Sequence, residues 1–134
     1  MNKQRSPAEE IEAFLNFVDR CSREYTYAQD MVKEEDKRLQ DLLHEMEFAA
    51  DRAERNRVAT KLQASRRERR ANKDIVQKDK LVVEFFNDQQ NRKTLNMLRQ
   101  LLGRQRKEEE FLAGERVYKT RTAKRRGTDR KETR

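Results

Sequence analysis

Two side chains in this sequence have the chemistry of a nucleophile and a base, Cys21 and His44, and each is the single example of its type. A thiol and an imidazole must come within hydrogen-bond reach to act together. These two stand 23 positions apart in one helical segment, a separation of roughly 35 Å by helical rise. Cys21 therefore reads as a small apolar filler and His44 as an ordinary surface or seam histidine. A single cysteine excludes an internal disulfide and a cysteine-based zinc site. With no glycine-rich phosphate loop and no spaced acidic set for a divalent ion, no catalytic residue, metal or cofactor is expected. The chain reads as a non-enzyme.

Guanidinium chemistry is what the sequence concentrates. Arg66, Arg67, Arg69 and Arg70 would occupy an arc of roughly 160° on a helix, more than one acidic helix can neutralise. In one reading the cluster pairs with acids of a neighbouring helix and lays its aliphatic stems over a seam. In the other, several groups stay free to grip phosphates or an acidic patch on a partner. A second basic element is the C-terminal stretch 119–134, which holds eight of the 33 basic residues and two of the 25 acids, or +6 of the net +8. Lys124, Arg125 and Arg126 are its densest run. It is expected to be a flexible tail, either solubilising or adding affinity for a polyanion. No aromatic is interleaved beyond Tyr118, so base stacking is not indicated. Met97 and Leu101 flank the main leucine line of their segment and are candidates for a partner contact or for core filling.

The elements that position these groups follow from a heptad pattern. Ile11, Phe14, Val18, Cys21, Tyr25, Ala28, Val32, Leu39, Leu42 and Met46 recur in steps of three and four, and Glu35 alone interrupts them. Such spacing keeps a narrow apolar stripe on one side of a helix and suits a partner helix along it. Charged residues make up 43% of the chain and hydrophobic ones 34%, with three Gly and one Pro. That balance starves a compact core but satisfies coiled-coil seams.

Ser6, Pro7 and Glu9 form a capping box with proline at the first helical position, so a first helix should run from Pro7 to about Phe48. Ala49–Asp51 reads as a tight connection, with Asp51 capping a second helix that continues to about Phe86. Asn87 offers a third N-terminus, and Gly114 is placed to stop that helix in a left-handed turn after Ala113. The expected fold is all-α. It comprises a long antiparallel coiled-coil hairpin and a third helix, which together form a three-helix base around Phe14, Phe17, Val82, Phe85, Leu98 and Leu102. The helical domain would occupy residues 1–118 and a disordered basic tail residues 119–134. With the turn centred near Asp51, Glu35 falls opposite Arg67, within ion-pair reach of Arg66, Arg67 or Arg70. A thin hairpin also leaves seam positions for a second copy, a homodimer, or a helical partner to cover.

No apolar run approaches a membrane span and no signal-peptide core follows Met1–Arg5, so no membrane contact and a cytoplasmic location are expected. The segments Val58–Asp74 (VATKLQASRRERRANKD) and Gly114–Arg121 (GERVYKTR) resemble small helical proteins encoded by phages and prophages of low-GC Gram-positive bacteria. That resemblance implies a mobile-element setting and carries no site residue with it. It implies a phage-encoded inhibitor, anti-CRISPR-like, that binds a host protein or nucleoprotein complex in nucleic-acid processing or defence. The alternative is a direct nucleic-acid binder working through the arginine cluster and the tail.

Overall fold

The computed structural model describes residues 4–118 and 130–133. Three helices account for most of them: α1 Pro7–Glu47, α2 Arg52–Asn87 and α3 Gln89–Ala113. Each boundary has a local cause. At the start of α1, the Glu9 amide donates to Ser6 Oγ at 3.2 Å and the Ser6 amide donates to Glu9 Oε1 at 2.9 Å, which closes the capping box. Glu9 and Glu10 add negative charge to the first turn, where the helix dipole favours it. At α2 the Glu54 amide donates to Asp51 Oδ1 at 2.9 Å, and Glu54 Oε2 accepts from the Ala50 amide at 2.8 Å.

The third start differs from the expectation. Asn87 is the last residue of α2 rather than the cap of α3; a single residue, Asp88, separates the helices in an extended conformation. The Arg92 amide donates to the Asp88 carbonyl at 2.9 Å, and Asn91 Nδ2 reaches back to the Phe85 carbonyl at 2.8 Å. Asp88 thus stands at the junction in place of Asn87, and Asn91 satisfies one open carbonyl of the α2 end from the first turn of α3. Gly114 does follow α3, and its amide donates to the Phe111 carbonyl at 3.2 Å. It does so without a left-handed backbone, its φ lying outside the positive region, and a Cβ there would meet the Glu110 carbonyl oxygen at 3.4 Å. Gly103 lies inside an uninterrupted α3.

Two compact units divide the chain: residues 16–92, and residues up to Leu15 together with those from Lys93 onward. The first is an antiparallel hairpin of α1 and α2. Along α1 the buried residues are Cys21, Ala28, Glu35 and Leu42, and along α2 they include Val58, Ser65, Asn72 and Asp79. Both series step by seven. Ser65 Oγ donates to Glu35 Oε2, and Asp79 is the first electrostatic neighbour of Cys21. Seven-residue steps from those two pairs set Leu42 against Val58 and Ala28 against Asn72. Val18, Tyr25, Val32, Leu39 and Met46 form the half-buried companion row on α1, and Leu62, Arg69 and Val76 form it on α2. Much of this seam is polar or small. Phe17 and Phe85, assigned from sequence to the core of a base, keep 38% and 57% of their surface exposed.

In the second unit the N-terminal turns of α1 run antiparallel to α3. The Ala8 amide donates to Glu109 Oε2 at 2.9 Å, and Arg106 pairs with Glu12 at 3.0 Å. On α3, Leu95 and Leu102 are buried and Leu98, Gln105 and Glu109 half-buried, again in steps of three and four. Phe14 is 40% exposed there, although it was read as core. After α3, strand β1 (Glu115–Tyr118) pairs antiparallel with strand β2 (Arg130–Thr133), Tyr118 opposite Arg130. Residues 130–133, which the sequence places in the basic tail, form that second strand. The rest of the expected tail, residues 119–129 and 134, lies outside the described residues.

Candidate interaction surface

The hairpin turn fixes where the arginines fall. Helix α1 ends at Glu47 and the Ala49 amide closes on the Met46 carbonyl at 3.4 Å, so the chain reverses before Asp51. Centring the turn one residue earlier moves every opposed position on α2 by two. Glu35 therefore meets Ser65 rather than Arg67. Its Oε2 accepts from Ser65 Oγ at 2.5 Å, and its Oε1 lies 3.6 Å from Arg38 Nη1 on its own helix. The expected ion pair of Glu35 with Arg66, Arg67 or Arg70 does not form. The arginine that crosses the hairpin is Arg69, whose Nε donates to Asp36 Oδ1 at 2.6 Å. Arg69 can do this because it stands in the half-buried row of the seam, its stem along α1 and its head at the edge.

Arg66, Arg67 and Arg70 are exposed, and they have no ion pair among the described residues. Their positions differ in use. Arg66 and Arg70 line one side of the hairpin, and Arg67 lies beyond that lining. On this side two grooves adjoin. The first, about 550 Å³, is lined by Asp36, Leu39, Arg66, Arg69, Arg70 and Lys73. The second, about 380 Å³, is lined by Leu39, Leu43, Ala59, Leu62, Gln63 and Arg66. They share Leu39 and Arg66, so a basic groove continues into an apolar one toward the turn. The opposite side of the hairpin is of mixed sign, with Asp41, Glu45 and Glu68 interspersed among Arg38 and Lys61.

The other residues singled out from sequence are not brought to this surface. Met97 is 65% and Leu101 38% exposed on α3, one turn apart and outside the hairpin unit. Lys124, Arg125 and Arg126 lie outside the described residues. The chain matches no protein-family model, no curated protein and no solved structure.

The two reactive side chains lie in different surroundings. Burial pushes the Cys21 thiol above its ordinary range, and the negative charges of Asp79 and Glu24 push in the same direction. His44 is exposed at the end of α1, with Nδ1 3.6 Å from Glu47 Oε2. Among the described residues no group of three or more His, Cys, Asp or Glu side chains could hold a metal ion. Among the described residues no helix is long and apolar enough to cross a membrane.

Sequence reasoning missed three features. Ser65, Asn72 and Asp79 occupy buried seam positions, and their seven-residue spacing after Val58 was the available signal. Asp79 Oδ2 has no hydrogen-bond partner among the described residues, although the residue is 3% exposed. Glu109 caps α1 from another helix by accepting from the Ala8 amide and from Gln105 Nε2 at 3.0 Å. Hydrogen bonds from Ser6, then Gln105 and the Ala8 amide, hold its carboxyl below the usual range.

Proposed function

We propose that the chain is a non-enzymatic protein-interaction module, phage-encoded, that binds and inhibits a host nucleic-acid-processing or defence complex in the cytoplasm. The observation that carries this reading is the placement of Arg66 and Arg70. Both are exposed on a two-helix frame, with no acidic partner among the described residues. Cations held on a rigid frame steer association and penalise wrong partners more than they add affinity. The charge distribution argues for a protein target over bare nucleic acid, because the chain outside residues 119–134 has 25 bases against 23 acids. A dedicated duplex binder spreads positive charge over a folded face.

Direct nucleic-acid binding is the second reading, favoured by the clustering of Arg66, Arg70 and Lys73 in one groove. Salt dependence separates the two. Phosphate contact on duplex DNA lowers log affinity against log salt by about 0.9 per contact. The test is affinity capture from host extract with and without nuclease, followed by salt titration of whatever is recovered. Nuclease-insensitive capture of one protein complex is expected. Replacing Lys124, Arg125 and Arg126 with alanine should weaken that association without changing its target. Sub-micromolar binding of DNA or RNA in physiological salt, with no protein recovered, would overturn the reading.

A further inference from the structure

We propose that the side of the hairpin between Leu43 and Lys73 docks an amphipathic helix of a partner protein, with apolar residues at one end and acidic residues at the other. The proposal deepens the interaction-module reading and rests on it. Leu39, Leu43 and Leu62 line the apolar groove nearest the turn, with Leu43 49% exposed. Arg66, Arg70 and Lys73 line its basic continuation. The one acid in that lining, Asp36, is already held by Arg69 at 2.6 Å, so three positive charges face outward without compensation there. From Ala59 to Lys73 the surface follows α2 for roughly 21 Å, the length of about 14 helical residues. A helix laid in such a groove presents anchors at i, i+3 or i+4 and i+7.

Charge and polarity together select this occupant. A nucleic-acid backbone would neutralise the cations but leave the leucines wet, because phosphates and sugars offer no matching apolar surface. A neutral amphipathic helix would cover the leucines and bury cations beside its apolar edge, at a desolvation cost with nothing in return. An acidic-ended amphipathic helix satisfies both halves.

The test uses the full chain and fluorescein-labelled peptides of about 18 residues, matched to the helix-in-groove mode. One carries leucines on one face of its first half and glutamates on the same face of its second half. A second has lysine for those glutamates, a third has serine for the leucines, and a 20-base-pair DNA duplex is the fourth probe. Anisotropy should show binding of the first peptide, weaker by about tenfold or more for each of the other three probes. L43E and R66E/R70E should each reduce that binding by about tenfold, with far-UV circular dichroism unchanged, since all three residues are exposed. Equal binding of the serine peptide or of DNA overturns the proposal, as does no binding of the acidic peptide at about 100 μM. So does a self-association of the chain that L43E abolishes, because the face would then belong to a second copy. If host capture recovers a protein whose binding ignores L43E and R66E/R70E, this surface falls and the interaction reading stands. If only nucleic acid is recovered, both fall.

Discussion

The buried Glu35–Ser65 layer makes a quantitative demand. Glu35 is 2% and Ser65 4% exposed, and the hydroxyl donates to the carboxyl at 2.5 Å. Ser65→Ala removes the donor and leaves a carboxyl oxygen buried without it, at a cost of about 1–3 kcal/mol. Glu35→Leu is different. Burying leucine there contributes about 1.5–3 kcal/mol, and leaving the Ser65 hydroxyl buried without its acceptor takes away a similar amount, about 1–3 kcal/mol. Glu35→Leu should therefore lie within about 1 kcal/mol of the parent. Changing both, Glu35→Leu with Ser65→Ala, removes the polar pair together and should stabilise by about 1–3 kcal/mol. At roughly 3–6 °C per kcal/mol for a chain of this size, the order of melting temperatures is double variant, then parent and Glu35→Leu together, then Ser65→Ala. Circular dichroism at 222 nm against temperature and urea on the four proteins measures it. A harmless Ser65→Ala, or a double variant less stable than the parent, would show that the layer is not a desolvated pair and would refute the reasoning.

Three further outcomes follow from buried or bonded groups. Asp79→Leu should raise the urea midpoint by an amount corresponding to about 1–3 kcal/mol, because it deletes a buried oxygen with no partner among the described residues; a lower midpoint would mean that Asp79 is satisfied in solution. Cys21 should react with a thiol reagent at pH 8 far more slowly in the folded protein than in urea. Because its folded-state value is raised, stability should be complete below the unfolded thiol value and fall as pH rises through the folded one. Cys21→Ala should flatten that alkaline slope, and an unchanged slope would assign it elsewhere. Glu109 has the opposite sign: its carboxyl is held low, so its contribution is present above the unfolded carboxyl value and lost as pH falls through the folded one. Glu109→Ala should remove that acid sensitivity and speed hydrogen exchange at the Ala8 amide, and no change at Ala8 would break the inter-helix cap.

What was legible in the sequence depended on the range of the interaction. The boxes at Ser6 and Asp51 need residues three apart, and both formed. The α1 heptad was legible because every second or third apolar residue had to lie on one face, and the structure buries that row from Cys21 to Leu42. On α2 the same periodicity was present but written in Ser65, Asn72 and Asp79, which a search for apolar residues passes over. The arginines were found as a cluster, yet their partners were misassigned because a turn displaced by one residue shifts opposed positions by two. That displacement put Arg69 rather than Arg66, Arg67 or Arg70 across from an acid. The Glu109 cap was not legible at all: nothing local distinguishes it from Glu108 or Glu110 until α3 is placed beside the first turn of α1.

A seam of this composition gives up stability for register. Leu42 against Val58 is an apolar layer, whereas the layers at Glu35, Ala28 and Cys21 meet Ser65, Asn72 and Asp79. A slide of one heptad would set Glu35 against Val58 or Asn72 and lose its hydroxyl donor, so the polar layers select one alignment. That alignment is also what brings Leu39 and Leu43 beside Ala59 and Leu62, and Arg69 to Asp36, leaving Arg66 and Arg70 outward. The side face is thus defined by interactions in the seam that contribute little net stability themselves. Under the docking proposal, a helix bound to that face only in the folded state would return some of what the seam gives up. At a free concentration of 100 times its dissociation constant the gain is about 2.7 kcal/mol, of the same order as removing the Glu35–Ser65 layer. The two routes to stability have different consequences: the substitution stabilises the free protein, whereas the partner stabilises it only when present. A partner helix that binds only the folded hairpin would therefore shift its folding equilibrium without altering the seam.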